Sequence, residues 1–199
     1  MRVLSYGPRS ALIECPDVPA HALAHALSAS GNFIEAIPAE RSVLVRSSTP
    51  LDLHDLQRFV DALIIDVGAA QTRLIEIPVD YTGEDLPLLA AATGLSVQEI
   101  IAIHSETTYL AAFAGFAPGY VYCTGLDPRL YVPRRPTPRI SVPAGSVAIA
   151  DVYTAVYPQA SPGGWHLLGT TQVQMFDLHA SEPALIRPGD QVRFTVRNP

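Results

Sequence analysis

The stretch that decides the fold runs from residue 141 to residue 171 and reads SVPAGSVAIADVYTAVYPQASPGGWHLLGTT. Its short apolar runs, rich in valine, isoleucine and leucine, alternate with turns made of proline, glycine and serine. Such spacing is typical of short strands in an all-β barrel or sandwich. Similar runs extend on both sides, from about residue 107 to the end of the sequence. We therefore predict a β-barrel or β-sandwich for the second half of the chain.

The first 80 residues follow a different pattern. Apolar runs of strand length alternate there with two segments of helical periodicity, in the order ββαββαβ. This order favours helices packed on one face of a mostly antiparallel sheet. We predict an α+β protein, with a small N-terminal α/β domain over residues 1–80 and a second domain over residues 81–199. A short helical hairpin over residues 84–106 opens the second domain.

The composition excludes several kinds of chemistry. The 199 residues carry a formal net charge of −6, and all 13 basic residues are arginine. Without lysine, the chain has no P-loop lysine, Schiff-base lysine or lysine general base. The two cysteines, Cys15 and Cys123, lie far apart, so neither a disulfide framework nor a metal site is expected. The absence of a long apolar run leads us to expect a cytoplasmic protein without membrane contact.

The helical hairpin has two interpretations. Two short helices joined by a glycine turn are compatible with a helix-turn-helix that binds DNA. The alternative is a hairpin that only covers a sheet. The recognition helix would span residues 97–104 and contains no arginine, and the whole chain is acidic. Because DNA-binding helices normally bring cationic contacts to phosphate, we expect no nucleic-acid binding.

The segment SPGGWHLLGTT, residues 161–171, is the first candidate for a binding site. Adjacent Gly163 and Gly164 let a ligand come close to backbone N–H groups, which can donate to an oxyanion. Trp165, the only tryptophan, could wall a pocket or anchor a partner. The alternative is a tight turn beside a buried core tryptophan. We favour an anionic small molecule that approaches the two glycines at or near a subunit boundary.

An arginine-rich segment supplies candidate ligands for such an anion. Guanidinium groups bind carboxylate or phosphate in a forked geometry. Prolines at positions 133, 136 and 138 favour extended backbone, so Arg135 and Arg139 share one side and Arg134 takes the other. Arg139 is the arginine expected to point inward, because a strand begins there. A solvated arginine surface is the alternative.

His104 is the candidate acid–base group. It lies at the C-terminal end of the second short helix, where the helix dipole favours a protonated imidazole. A hydrogen-bonded core histidine is the alternative. No nucleophile motif, phosphate-binding glycine motif or complete catalytic constellation is present. The protein therefore either binds a ligand or contributes part of a site to another chain.

Several motifs in a fixed order carry a family resemblance. The chain resembles the allophanate hydrolase subunit 1 family, which includes the B subunit of bacterial 5-oxoprolinase and the KipI-type kinase inhibitors. The similarity covers nearly the whole chain. The motifs are NFIEAIPAERSVLV (32–45), LSVQEIIAIHS (95–105), GFAPGYVY (115–122), LYVPRRPTPRISVPAGSVAIA (130–150), SPGGWHLLGTT (161–171) and LIRPGDQVRF (185–194).

The resemblance implies a fold, a reaction and partners. The second domain would be a cyclophilin-like β-barrel, and the chain would pair with subunit 2 of the same family and with a third, LamB/YcsF-type subunit. The hetero-oligomer would use ATP and Mg²⁺ to open 5-oxoproline to glutamate, and this chain would be an inactive hydrolase subunit on its own. The implied catalytic residues are His104 and Arg139. The implied substrate-binding residues are Gly119, Arg134, Tyr157, Ser161, Gly163, Gly164 and Trp165.

The same resemblance leaves a second function open. A KipI-type regulatory module would block a sensor histidine kinase through an exposed apolar or arginine surface, without a substrate pocket. The segment GSVAIADVYTAVYP, residues 145–158, also departs from the family pattern, which is richer in glycine and has glutamine where Tyr153 stands. Tyr153 is bulkier than glutamine and lacks an amide, so we expect an altered substrate choice if this position touches the ligand.

Overall fold

The computed structural model describes residues 1–66 and 73–197. The chain divides into two compact units, Met1–Thr72 and Arg73–Pro199. Each unit combines helices with a sheet, which confirms the predicted α+β class. The division falls earlier than residue 80, because the strand at residues 74–79 pairs with the last strand of the second unit.

The first unit is a four-stranded antiparallel sheet with two helices on one face. Alternate residues of its central strands, such as Ile13 and Val45, are fully buried against helix residues such as Leu23 and Val60. The sheet order is β1-β2-β4-β3. The elements are β1 (Arg2–Ser5), β2 (Ser10–Glu14), α1 (Ala20–Ala29), β3 (Glu35–Pro38), β4 (Ser42–Arg46) and α2 (Leu53–Ala62).

The second unit is built on a seven-stranded sheet in the order β12-β9-β10-β7-β6-β13-β5. All neighbours in this sheet are antiparallel except β13 and β5, which run parallel. Strands β8 and β11 form a separate two-stranded ribbon. The strands are β5 (Leu74–Val79), β6 (Thr108–Ala114), β7 (Val121–Thr124), β8 (Arg139–Val142), β9 (Ser146–Ala150), β10 (Tyr153–Val156), β11 (Ser161–Gly163), β12 (His166–Thr170) and β13 (Gln191–Val196).

A short backbone contact closes the sheet into a barrel. The Asp80 N–H donates to the Thr170 carbonyl at 2.8 Å, and the Thr170 N–H donates back to the Asp80 carbonyl at 3.0 Å. This contact joins the end of β5 to β12, the two edge strands of the sheet. A Cβ at Gly169 would lie 2.3 Å from the Asp80 carbonyl oxygen. Glycine is therefore required where the barrel closes.

The barrel wall is buried on both faces where it carries the candidate site. Every residue of β9 is buried. Because strand side chains alternate in direction, Val147 and Ile149 join the core inside the barrel, whereas Ala148 and Ala150 belong to a second cluster outside it. The outer cluster also contains Trp165. Alanine leaves room on this outer face for large rings.

The predicted helical hairpin is present as α3 (Leu86–Thr93) and α4 (Val97–Glu106). Ser96 and Glu99 form a capping box, and Leu89 and Ile100 are buried in the barrel core. The hairpin therefore covers the barrel, as in the second of its two interpretations. Among the described residues no single helix is long and apolar enough to cross a membrane. Helices α3 and α4, which are bent by 95° relative to each other, reach the length and apolar composition of a membrane span only when they are taken together.

Replacing Gly169 by alanine tests the barrel closure. The new methyl group would meet the Asp80 carbonyl oxygen at 2.3 Å and Tyr81 Cα at 2.9 Å, and both are backbone atoms. We expect Gly169→Ala to lower the free energy of unfolding by about 2 kcal/mol or more, measured by urea denaturation. Gly115→Ala is the matched control, because its Cβ would approach nothing closer than 3.7 Å. Equal stability of the two variants would contradict the proposed role of Gly169.

Candidate functional site

A cavity of about 240 Å³ lies on the outer face of the barrel wall, between the main sheet and the β8–β11 ribbon. Five aromatic rings form it, and we call it the aromatic cup. An arginine, three residues of the 162–164 turn and one proline complete the lining. The lining residues are Phe116, Tyr120, Tyr122, Arg134, Pro138, Tyr157, Pro162, Gly163, Gly164 and Trp165.

Tyr120 is the centre of the aromatic cup. Its ring makes edge-to-face contacts with the other four rings, at centroid distances of 5.1 Å to Tyr122, 5.2 Å to Phe116, 5.3 Å to Tyr157 and 5.9 Å to Trp165. Edge-to-face geometry is favourable for aromatic pairs, so the rings hold each other in place. Tyr120 and Trp165 are both buried. The cup is thus a preformed, mostly apolar container.

The exposed ring of the cup is held by an unusual backbone conformation. Phe116 is 63% exposed and has a φ of 69°, in the left-handed region that non-glycine residues rarely adopt. The tight turn that follows closes through the Tyr120 N–H, which donates to the Ala117 carbonyl at 2.9 Å. Gly119, predicted to bind substrate, lies in this turn with a φ of 81° and does not line the cup. Its role is to let the backbone turn beneath Phe116.

The two adjacent glycines do line the cup, as the sequence indicated. A Cβ at Gly163 would lie 2.3 Å from the Tyr157 hydroxyl oxygen, so only glycine fits there. The Gly164 carbonyl accepts a hydrogen bond from the Arg135 N–H at 2.7 Å, which ties the turn to the arginine segment. Ser161 does not line the cup, and its buried Oγ has no hydrogen-bond partner among the described residues.

Tyr157 places a phenol at the wall of the cup. Its hydroxyl oxygen is next to Gly163, and its ring contacts the Tyr120 ring edge to face at 5.3 Å. Burial raises the pKa of Tyr157, and the nearby Tyr120 hydroxyl and Arg134 charge oppose that rise only in part. The Tyr157 phenol is therefore neutral at physiological pH and keeps a proton that it can donate.

Arg139, the arginine expected to grip the ligand, is engaged elsewhere. Its Nη2 donates to both oxygens of Asp85 at 2.8 Å, its Nε donates to Glu84 at 2.7 Å, and its Nη1 donates to the Trp165 carbonyl at 3.3 Å. The side chain does point inward, with only 15% of its surface exposed. It does not line the cup. Arg139 therefore stabilises the cup wall through its hydrogen bond to the Trp165 carbonyl.

Asp85 connects three segments of the chain. Its carboxylate accepts from Arg135 at 2.5 Å, from Arg139 and from the Leu167 N–H at 2.7 Å. Only 4% of its side chain is exposed. Asp85 precedes α3 but makes no side-chain hydrogen bond to that helix, because both oxygens are used by the arginines and by β12. We call Asp85, Arg135, Arg139 and the Leu167 N–H the Asp85 clamp.

Arg134 is the arginine that faces the cup. It lies on the opposite side of the extended segment from Arg135 and Arg139, as the alternation of the sequence predicted. Its Nε is 3.9 Å from Asp151, and both side chains are more than half exposed. A pair this long and this exposed contributes little stability, so Arg134 remains available to an anion.

His104 lies on the other side of the barrel wall. Its Nδ1 is 2.7 Å from the Tyr81 hydroxyl, its Nε2 is 2.8 Å from Thr154 Oγ1, and its ring stacks on Phe194 at 4.6 Å. Burial lowers the pKa of His104 to about 3, which outweighs the helix dipole and makes the expected protonated form wrong. Thr154 faces the inside of the barrel, whereas Tyr153 packs on Tyr122 outside it. His104 is therefore a hydrogen-bonded core residue and does not reach the cup.

Several residues of the site were not predicted from the sequence, among them Tyr120, Tyr122 and Asp85. Tyr120 and Tyr122 alternate with buried Val121 and Cys123, which is the usual signal of a strand with two different faces. That alternation can be found in the sequence, but nothing in it says that the outer face is covered. Asp85 resembles an ordinary helix-capping residue in sequence, and only the fold brings the arginines to it.

A barrel whose wall carries a preformed aromatic cup and an available arginine presents a candidate small-molecule site. The sequence matches the family described as carboxyltransferase domain, subdomain C and D, over residues 1–186, and the chain belongs to this family. The family resemblance found in the sequence is confirmed.

Two relatives and one solved structure illustrate the similarity. The chain is 42% identical over 180 residues to the B subunit of 5-oxoprolinase from Escherichia coli O157:H7, covering 86% of this chain and 82% of the relative. It is 38% identical to the corresponding 5-oxoprolinase subunit of Bacillus subtilis strain 168, covering 81% of this chain and 75% of the relative. The crystal structure of TTHA0988 superposes with a TM-score of 0.85 at 37% identity, over 97% of this chain. The present chain spans only 41% of TTHA0988.

Replacing Asp85 by asparagine tests the Asp85 clamp. The variant keeps the size of the side chain but removes the counter-charge of Arg135 and the buried one of the two carboxylates that pair with Arg139. Breaking a buried ion pair in this way costs about 3 kcal/mol of unfolding free energy, measured by urea denaturation. Asp127→Asn removes a carboxylate that pairs with an exposed arginine, and we expect it to change stability little. A similar small effect of both substitutions would show that the clamp is not a structural element.

The pH dependence of stability tests the state of His104. The folded protein holds a neutral imidazole, whereas the unfolded chain takes up a proton near pH 6.5. Unfolding free energy should therefore fall as pH is lowered from 6.5 to 5, by up to about 1.4 kcal/mol per pH unit from this group. His104→Gln should lose that part of the slope in urea denaturation at several pH values. His179→Gln, at an exposed position, should keep it, and identical slopes for the two variants would contradict the assignment.

Proposed function

We propose that this chain is a subunit of a 5-oxoprolinase, which opens the lactam 5-oxoproline to glutamate. The observation that carries the proposal is the 42% identity to the B subunit of a 5-oxoprolinase, over most of both chains. The aromatic cup is consistent with it, because it offers a small, mostly apolar cavity with one cation. The regulatory alternative, a KipI-type inhibitor of a histidine kinase, needs no such cavity, and the names of the relatives do not favour it.

The proposal includes partner subunits. Among the described residues, the cup holds an arginine and phenols but no carboxylate or imidazole that could act as a general base. The structural relative TTHA0988 has more than twice the length of this chain. We infer that subunit 2 of the same family, and a third LamB/YcsF-type subunit, complete the site. The isolated chain is then inactive as a hydrolase.

The residues that bind the nucleotide are expected on a partner subunit more than on this chain. A lactam is a poor electrophile, and ATP supplies a phosphoryl group that makes its amide carbon reactive. Phosphoryl transfer depends on positioning and on charge stabilisation, usually with Mg²⁺ held by carboxylates. The sequence has no lysine, and the described residues contain no group of three or more His, Cys, Asp or Glu side chains suited to a metal. We therefore assign ATP and Mg²⁺ mainly to the partner subunits, and we expect the complex to work in the cytoplasm, where ATP is available.

Reconstitution tests the proposed function. We expect the chain, purified together with the subunits encoded beside it, to hydrolyse ATP in response to 5-oxoproline and to release glutamate. The chain alone, and the partners alone, should each show at least about 100-fold less activity, the loss expected when part of a catalytic site is missing. ATP hydrolysis and glutamate release are measured separately, so that uncoupled turnover is detected. A stable complex that forms no glutamate from 5-oxoproline would overturn the proposed substrate.

A further inference from the structure

We propose that the aromatic cup is the substrate-recognition site of this subunit, in which Arg134 binds the carboxylate and Tyr157 donates to the carbonyl oxygen of a small cyclic acid. This assignment rests on the proposed function for the identity of the substrate. It adds separate roles for Arg134 and Tyr157 among the substrate-binding residues that the family resemblance implied.

The size of the cup limits the ligand. A cavity of about 240 Å³ has room for a single five-membered ring with one carboxylate. The walls are ring faces and edges of Tyr120, Tyr122 and Trp165, which pack well against the apolar part of a compact ring.

The charge of the ligand follows from the arginines. Arg135 and Arg139 are already neutralised by the buried Asp85, and Arg139 also by Glu84. Among the described residues, the acidic partner of Arg134 is the exposed Asp151, at 3.9 Å. A carboxylate inside the cup would bring a closer and less solvated partner to Arg134 than Asp151 does. The cup therefore selects anions and disfavours cations, although aromatic cages alone can hold cations.

The second polar contact follows from the position of Tyr157. This buried tyrosine lines the cup, and a phenol carries one proton that it can donate to a ligand. Only glycine fits beside its hydroxyl at position 163. A ligand in the cup can thus present a carbonyl oxygen to Tyr157 while its carboxylate meets Arg134. Two separate polar anchors would distinguish a cyclic amide acid from a simple carboxylate.

The only tryptophan of the chain gives a direct measurement of binding. Trp165 lines the cup and is only 4% exposed, so its fluorescence reports an occupied cup without any enzymatic turnover. The chain is titrated with three probes of similar size. 5-Oxoproline has both polar groups, 2-pyrrolidinone lacks the carboxylate, and cyclopentanecarboxylate keeps the carboxylate but lacks the ring amide and adds no positive charge.

Each variant should affect only the probes that carry its partner group. Arg134→Gln should weaken binding of 5-oxoproline and cyclopentanecarboxylate about tenfold or more and leave 2-pyrrolidinone unchanged, as expected for loss of a charged hydrogen bond. Tyr157→Phe should weaken binding of 5-oxoproline and 2-pyrrolidinone about three- to tenfold and leave cyclopentanecarboxylate unchanged. Arg129→Gln is the control, because Arg129 is exposed, pairs with Asp127 and lies outside the cup.

The outcomes separate this assignment from the proposed function. In the reconstituted complex, Arg134→Gln should raise the KM for 5-oxoproline at least about tenfold, as loss of a charged hydrogen bond to the substrate implies. An active complex in which Arg134→Gln and Arg129→Gln have the same KM, with no saturable change of Trp165 fluorescence, would overturn the cup as the site but leave the enzyme. A complex without activity whose cup still binds 5-oxoproline in the predicted pattern would overturn the enzyme but support the site.

Discussion

The second unit depends on one buried carboxylate. Asp85 neutralises Arg135 and Arg139 and also accepts from the Leu167 N–H at the start of β12. A buried charge is tolerated only when it is paired and fully hydrogen-bonded, and these three contacts meet that condition. Through Arg139 the clamp reaches the Trp165 carbonyl, and through Arg135 it reaches Gly164. These hydrogen bonds hold Trp165 and Gly164, two lining residues of the cup, in place.

The two faces of the barrel wall carry different sets of residues. Inside it, His104 joins an apolar core that holds the imidazole neutral. Outside it, alanines of β9 and β10 leave space for the tyrosine and tryptophan rings. Tyr153, at the position where the family resemblance implied a glutamine, extends this outer cluster by packing on Tyr122 at 5.6 Å and does not line the cup. A tyrosine at this position therefore changes the packing behind Tyr122 and not the surface of the cavity itself.

Three arginines within a short segment serve two purposes. Arg135 and Arg139 are structural because acidic side chains neutralise them, whereas Arg134 faces an apolar cavity with only an exposed partner. This division explains how a chain with a net charge of −6 can offer an anion site. It also suits a subunit that recognises a small acid and leaves the nucleotide to other chains, since a single arginine can hold a carboxylate but not a triphosphate.

The sequence alone determined the α+β class, the helical hairpin, the family and the two glycines beside Trp165, because these follow from local periodicity, turn chemistry and ordered motifs. It also placed Arg134 opposite Arg139, through strand alternation. Only the tertiary structure decided which of the two faces the cup, since Asp85 lies 54 residues away from Arg139 in the chain and pairs with it. It likewise placed His104 inside the barrel, because burial is a property of packing. The strand at residues 74–79 joined the second unit for the same reason, since its partner β13 lies at the far end of the sequence.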